Sequence, residues 1–172
     1  AASDVYKRQQ DTYKEFPDND KFEGAFVNRD IYNMRARNYI LSRLENFENK
    51  APITIENYTI EHIMPQNKNL SLEWQTNLGP EWQEVQKKYL HTIGNLTLTA
   101  YNSEMSDRPF LDKMDMLGGF KESALRINKY VVLQNEWNET HIQERANELA
   151  KKAEVIWPYP CLLYTSDAAD DR

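Results

Sequence analysis

The sequence predicts an α+β domain, predominantly helical, with two short strands at its centre. Two observations carry this. Apolar residues recur at helical spacing near both ends, whereas two short runs in the middle, Ile53 to Ile60 and Gly94 to Thr99, alternate apolar residues with threonine. A third, the length, sets the scale: about 150 residues suit one domain with one core.

That length excludes the ends. Ala1 to Gln9 back-translates to a transposon sequencing adapter, and Cys161 to Asp171 to its reverse complement in another frame. Residues 1–9 and 161–172 are therefore expected to be adapter read-through, and residues 10–160 a fragment of a longer protein.

Taken in order, a short helix is expected around Asp20 to Val27. A longer one follows from Ile31 to Phe47, where Met34, Ile40, Leu41, Leu44 and Phe47 share a stripe and Arg35, Arg37 and Arg43 lie off it. Pro52 blocks helix continuation, and the threonine-interleaved run up to Ile60 favours extended structure, so Glu61-His62 arrives at the end of a strand. The polar stretch Gln66 to Leu78 lacks periodicity and reads as a loop. Gly79-Pro80 opens a helix running to about Tyr89. After the strand Gly94 to Thr99, residues Asn102 to Arg108 carry turn and capping chemistry, and Pro109 starts a helix, Phe110 to Leu117, that Gly118-Gly119 ends. The last helix is the clearest: Ile142, Ala146, Leu149, Ala153 and Ile156 form one stripe, Asn138 is a natural cap, and Trp137 can staple against Ile142. His141, in its first turn, is expected to be structural.

Charge and cysteine content narrow the chemistry. The chain carries 21 basic and 27 acidic residues, a net charge of −6. Without Lys7, Arg8, Arg172, Asp4, Asp167, Asp170 and Asp171 it stays acidic, so composition advertises no broad basic face for nucleic acid. The one cysteine, Cys161, lies in the excluded tail. This leaves no disulfide or thiolate metal site and fits a cytoplasmic setting. No run approaches the ~18 apolar residues of a membrane span, so no membrane partner is expected.

A carboxylate and a histidine side by side at a strand end, followed by asparagines on and after a second strand, are the parts of a one-metal phosphodiesterase. Hydrolysing a phosphodiester requires a base for water and a cation to neutralise charge on the phosphorane and leaving oxygen. Glu61 and His62 can divide these roles if the strand bends, since neighbours on a regular strand face opposite ways. An oxygen-rich ligand set suits one divalent cation, Mg2+ or else Mn2+, better than zinc.

The string Glu61-His62-Ile63-Met64-Pro65-Gln66, then Asn95-Leu96-Thr97-Leu98-Thr99, then Asn102 and Ser106, resembles the HNH variety of the His-Me finger, or ββα-metal, nucleases. His91-Thr-Ile-Gly-Asn95, Pro109-Phe110-Leu-Asp-Lys113, and the closing Ile142, Arg145, Leu149 and Ile156-Trp157-Pro158 resemble the C-terminal domain of GmrSD-type restriction endonucleases. The resemblance covers nearly all of 31–160.

It implies a ββα-metal motif at the centre of the fold and a residue-by-residue assignment. His62 would be the general base, Glu61 the acidic metal ligand before it, Asn95 the brace of the loop between the strands, and Asn102 the second metal ligand. His91 and Lys113 are candidates for substrate binding, each weighed against a structural or solvated role. The resemblance also implies cleavage of modified foreign DNA in prokaryotic antiviral defence, cytoplasmic location, and a partner in a missing N-terminal nucleotide-hydrolysing domain. Two alternatives stay open at this point: an inactive module of the same fold that binds DNA or a partner domain, and an RNase with the same site.

Overall fold

The computed structural model describes residues 18–158; the adapter expectation for 1–9 and 161–172 falls outside them. About half of the described residues are helical, and one two-stranded sheet completes an α+β architecture. Among the described residues, no helix is long and apolar enough to cross a membrane.

Asp18 caps α1 (Asn19–Asn28) by accepting from the Lys21 amide. The second helix, α2 (Arg37–Glu45), begins later than the apolar stripe predicts. Residues 31–36 instead form turns, and the amides of Ile31 and Tyr32 donate to the His91 carbonyl at 3.0 and 3.3 Å. A long-range anchor thus overrides the local helical pattern, and it delivers Tyr32 to the neighbourhood of His91.

The sheet pairs β1 (Thr59–His62) with β2 (Leu96–Thr99), antiparallel, with Glu61 opposite Thr97 and His62 opposite Leu96. The expected extended run is shorter as ladder than the sequence suggests. Upstream of β1 the Asn46 side chain stands in for a missing strand, accepting from the Ile53 amide at 2.8 Å and donating to the Ile53 carbonyl at 2.9 Å. Glycine precedes β2 for a steric reason. A Cβ on Gly94 would lie 2.2 Å from the Ile142 carbonyl oxygen, a separation no side chain tolerates.

The expected loop Gln66 to Leu78 contains a helix, α3 (Leu72–Leu78). Ser71 caps it by accepting from the Trp74 amide, and Trp74 is buried with its indole donating to the Arg108 carbonyl. Burial of one large aromatic fixes a helix too short to show periodicity. Then come α4 (Trp82–Tyr89), a 3₁₀ turn (Ile93–Asn95) leading into β2, one helical turn α5 (Asn102–Met105) and α6 (Phe110–Asp115). The long α7 (Glu139–Ile156) starts at Asn138, whose side chain accepts from the His141 amide, as the sequence predicts.

Two apolar clusters flank the sheet. One joins α1, α2 and β2 through Phe26, Leu41, Leu44, Leu96 and Leu98; the other joins α3, α4 and α6 through Trp74, Val85, Phe110 and Met114. Helix α7 serves both, with Ile142 in the second and Ala146, Leu149 and Ala153 in the first. Trp137 and Ile142 are buried in the same cluster, where the expected staple places them.

Candidate active site

The end of β1 and the start of α5 meet at a cleft of about 240 Å3. Glu61, His62, Asn102, Ser103, Ser106 and Asp107 line it. Although Glu61 and His62 are sequence neighbours on a strand, both reach this cleft because β1 ends at His62 and the chain turns there. A larger open cleft, about 520 Å3, lies over Glu81, Glu84, Lys87, Lys88 and Glu139 and contains none of the motif residues.

Asn95 holds the turn that follows β1. Its Oδ1 accepts from the Met64 amide at 2.8 Å and from the Trp137 indole at 3.2 Å, while its Nδ2 donates to the carbonyls of Met64 and Leu90. With no exposed surface, this amide is fully satisfied within the protein. Its contacts are those of a loop brace, and Trp137 is a partner that sequence reasoning assigned only to packing.

Lys113 corrects an expectation. It is neither a solvated cation nor positioned to meet a phosphate: it is fully buried, and its Nζ donates to Glu61 Oε1 at 2.5 Å, the His62 carbonyl at 2.9 Å and the Ile63 carbonyl at 3.1 Å. These contacts use all three ammonium donors. The reason is charge compensation: burial pushes the Glu61 carboxyl above its ordinary value and the Lys113 amine below its own, and their mutual attraction opposes both shifts. A spacing of 52 residues between the partners hid this pair from any local reading.

His62 is buried, and its Nε2 lies 3.0 Å from His91 Nδ1. Burial first, then the neighbouring His91 and Lys113, lower its pKa from 6.5 to about 3, against a small opposing pull from Asp30. The imidazole is therefore neutral at physiological pH. Tyr32 packs its ring edge-on to His62 (centroids 4.5 Å apart) and stacks on His91 (5.1 Å, 12° between planes). Neither Tyr32 nor this face-to-face stack follows from the sequence pattern, because the turn at 31–36 that creates it lies within a stretch of helical apolar spacing.

The cleft fits a hard divalent cation in its chemistry. Apart from His62 the polar residues that line it carry side-chain oxygens, Glu61, Gln66, Asn102, Asp107 and two serines, and Glu61 Oε2 has no hydrogen-bond partner among the described residues. Among the described residues no cluster of three His, Cys, Asp or Glu side chains could hold a metal. A cation at Glu61 and Asn102 would take few protein ligands and keep water or phosphate oxygens in its shell, the habit of magnesium. Asp107 is the carboxylate the sequence reading missed; its charge contributes to the raised Glu61 pKa, and Asn67 donates to its Oδ2.

No protein of curated function matches the chain. Residues 16–152 match the family model of GmrSD restriction endonucleases, C-terminal domain, and the chain belongs to that family.

Proposed function

We propose that this GmrSD family domain is a metal-dependent DNA endonuclease of the HNH, or His-Me finger, type, with β1, β2 and α5 as its ββα finger. The observation that carries the reading is the convergence of Glu61, His62 and Asn102 on one cleft. Family membership supports nuclease action, and the neutral His62 ring carries a lone pair that can accept a proton.

Glu61 and Asn102 would hold the divalent cation. When bound, it supplies the positive charge that stabilises the pentacoordinate phosphate and the departing 3′-oxygen. His62 accepts the proton of the attacking water, and Asn95, by tying Met64 and Leu90 together, keeps the turn after His62 in place. Lys113 keeps the Glu61 carboxylate from standing alone as a buried charge. The products are 5′-phosphate and 3′-hydroxyl ends.

In the intact protein this module would cut modified foreign DNA in a prokaryotic cytoplasm, with an N-terminal nucleotide-hydrolysing domain delivering the substrate. Net negative charge fits a cleavage module that does not capture DNA alone. The test is magnesium-dependent nicking of plasmid DNA by the full-length protein against His62→Ala, with a single-stranded RNA arm. A loss of at least about a hundred-fold is expected for general-base removal; equal nicking would remove His62 from the mechanism.

A further inference from the structure

The contact between His62 and His91 poses a question that the proposed mechanism leaves open. His62 Nε2 and His91 Nδ1 lie 3.0 Å apart and share one proton, so one ring donates and the other accepts. If His91 donates, the His62 proton resides on Nδ1 and that nitrogen has no lone pair for water. If His62 donates from Nε2, Nδ1 carries the lone pair. Nδ1 makes no hydrogen bond with any described residue, and His62 is among the residues that line the cleft.

We propose that His91 is the positioning residue of the site: backed by Tyr32 and Arg37, it accepts from His62 Nε2 and fixes His62 in the tautomer whose Nδ1 serves as base. The inference rests on the nuclease reading for its consequence, though not for its geometry.

Three features support this direction. The His91 ring is clamped: Tyr32 stacks on it nearly parallel, the Arg37 guanidinium carbon lies 5.1 Å from the Tyr32 ring centroid, and Arg37 donates to the Tyr32 carbonyl at 2.8 Å. The backbone is clamped too, because the His91 carbonyl accepts from both Ile31 and Tyr32. The third is the open nitrogen: His62 Nδ1 has no hydrogen-bond partner among the described residues, so donation from Nε2 to His91 is the arrangement that leaves its lone pair available to a water.

The chain has only three histidines, so their ring nitrogens can be assigned one by one. Long-range proton–nitrogen NMR on the nitrogen-15-labelled chain at neutral pH reads the tautomer directly; His91→Ala and His91→Asn supply the comparison, and magnesium-dependent plasmid nicking is measured beside it. The expected result is Nε2-protonated His62 in the wild type, a mixed or reversed tautomer in His91→Ala, and recovery in His91→Asn, whose amide oxygen can take the place of Nδ1. Nicking should fall about ten- to a hundred-fold in kcat with KM unchanged for His91→Ala and largely recover in His91→Asn. A wild-type His62 protonated on Nδ1, or a tautomer indifferent to His91→Ala, overturns the inference whatever the activity. A tautomer that shifts as expected while neither wild type nor variants nick DNA sustains the assignment of His91 and sinks the nuclease reading instead.

Discussion

Two buried cations pin the two strands at their site ends, and they are satisfied in opposite ways. Lys113, from α6, meets a carboxylate and two carbonyls at the end of β1. Arg145, from α7, meets carbonyls alone: its guanidinium donates to Ile93, Gly94 and Leu96 at the entry to β2 and to Ile127 across the core. Among the described residues it has no acidic partner within salt-bridge distance, and full burial lowers its pKa to about 10. The contrast separates architecture from chemistry. A planar fork that can address several carbonyls at once sets the shape of a turn, whereas a compact ammonium against a carboxylate sets the charge of a site.

Breaking the architectural side should cost most. Arg145→Leu strands the buried carbonyls of Gly94, Leu96 and Ile127, each worth roughly 1–3 kcal/mol when left unsatisfied, so chemical denaturation should show a loss above about 4 kcal/mol. Arg145→Lys should recover little of it, because one ammonium cannot span the β2 entry and Ile127 together; a near-wild-type Arg145→Lys would dissolve the contrast.

On the chemical side, Lys113→Met leaves Glu61 buried and unpaired and should cost about 3–5 kcal/mol. Adding Glu61→Gln should restore part of that. Strict additivity in the double-mutant cycle would mean that the pair is not coupled.

A third buried group sharpens the comparison by titration. Because the folded pKa of His62, about 3, lies below the ordinary 6.5, the neutral ring contributes stability fully above pH 6.5 and loses it as pH falls toward 3. The slope should be about 1.4 kcal/mol per pH unit in that window, and His62→Gln should flatten it. If both proteins lose stability in parallel, the burial of His62 is not what makes the fold acid-sensitive.

The smallest expected effect concerns the frame that carries Arg145. Asn138→Ala removes the α7 cap and should lower stability by about 1 kcal/mol with nicking unchanged.

Much of this was legible in the sequence where local chemistry decides. The α7 stripe, its Asn138 cap and the strand pair around His62 and Asn95 follow from spacing and propensity alone. What was illegible depends on partners far along the chain. Residues 31–36 fit a helix until the His91 carbonyl claims their amides, and Ser71-Leu-Glu-Trp74 holds a cap whose helix is fixed only by burying Trp74. Lys113, on a short helical pattern, and Arg145, on the long one, both look like ordinary surface cations, and nothing local announces that their partners lie about 50 residues upstream. Asn102 follows from motif order, whereas Asp107 reaches the same cleft from a turn that no motif position marks.

The hydrogen atom at Gly94 has a consequence for portability. Since the backbone entering β2 lies directly against the Ile142 carbonyl, the strand pair cannot be excised as a cassette and grafted onto another scaffold without the C-terminal helix that shapes it. Any truncation map or domain swap should treat β1 through α7 as one indivisible unit, however compact the motif looks when written as a string.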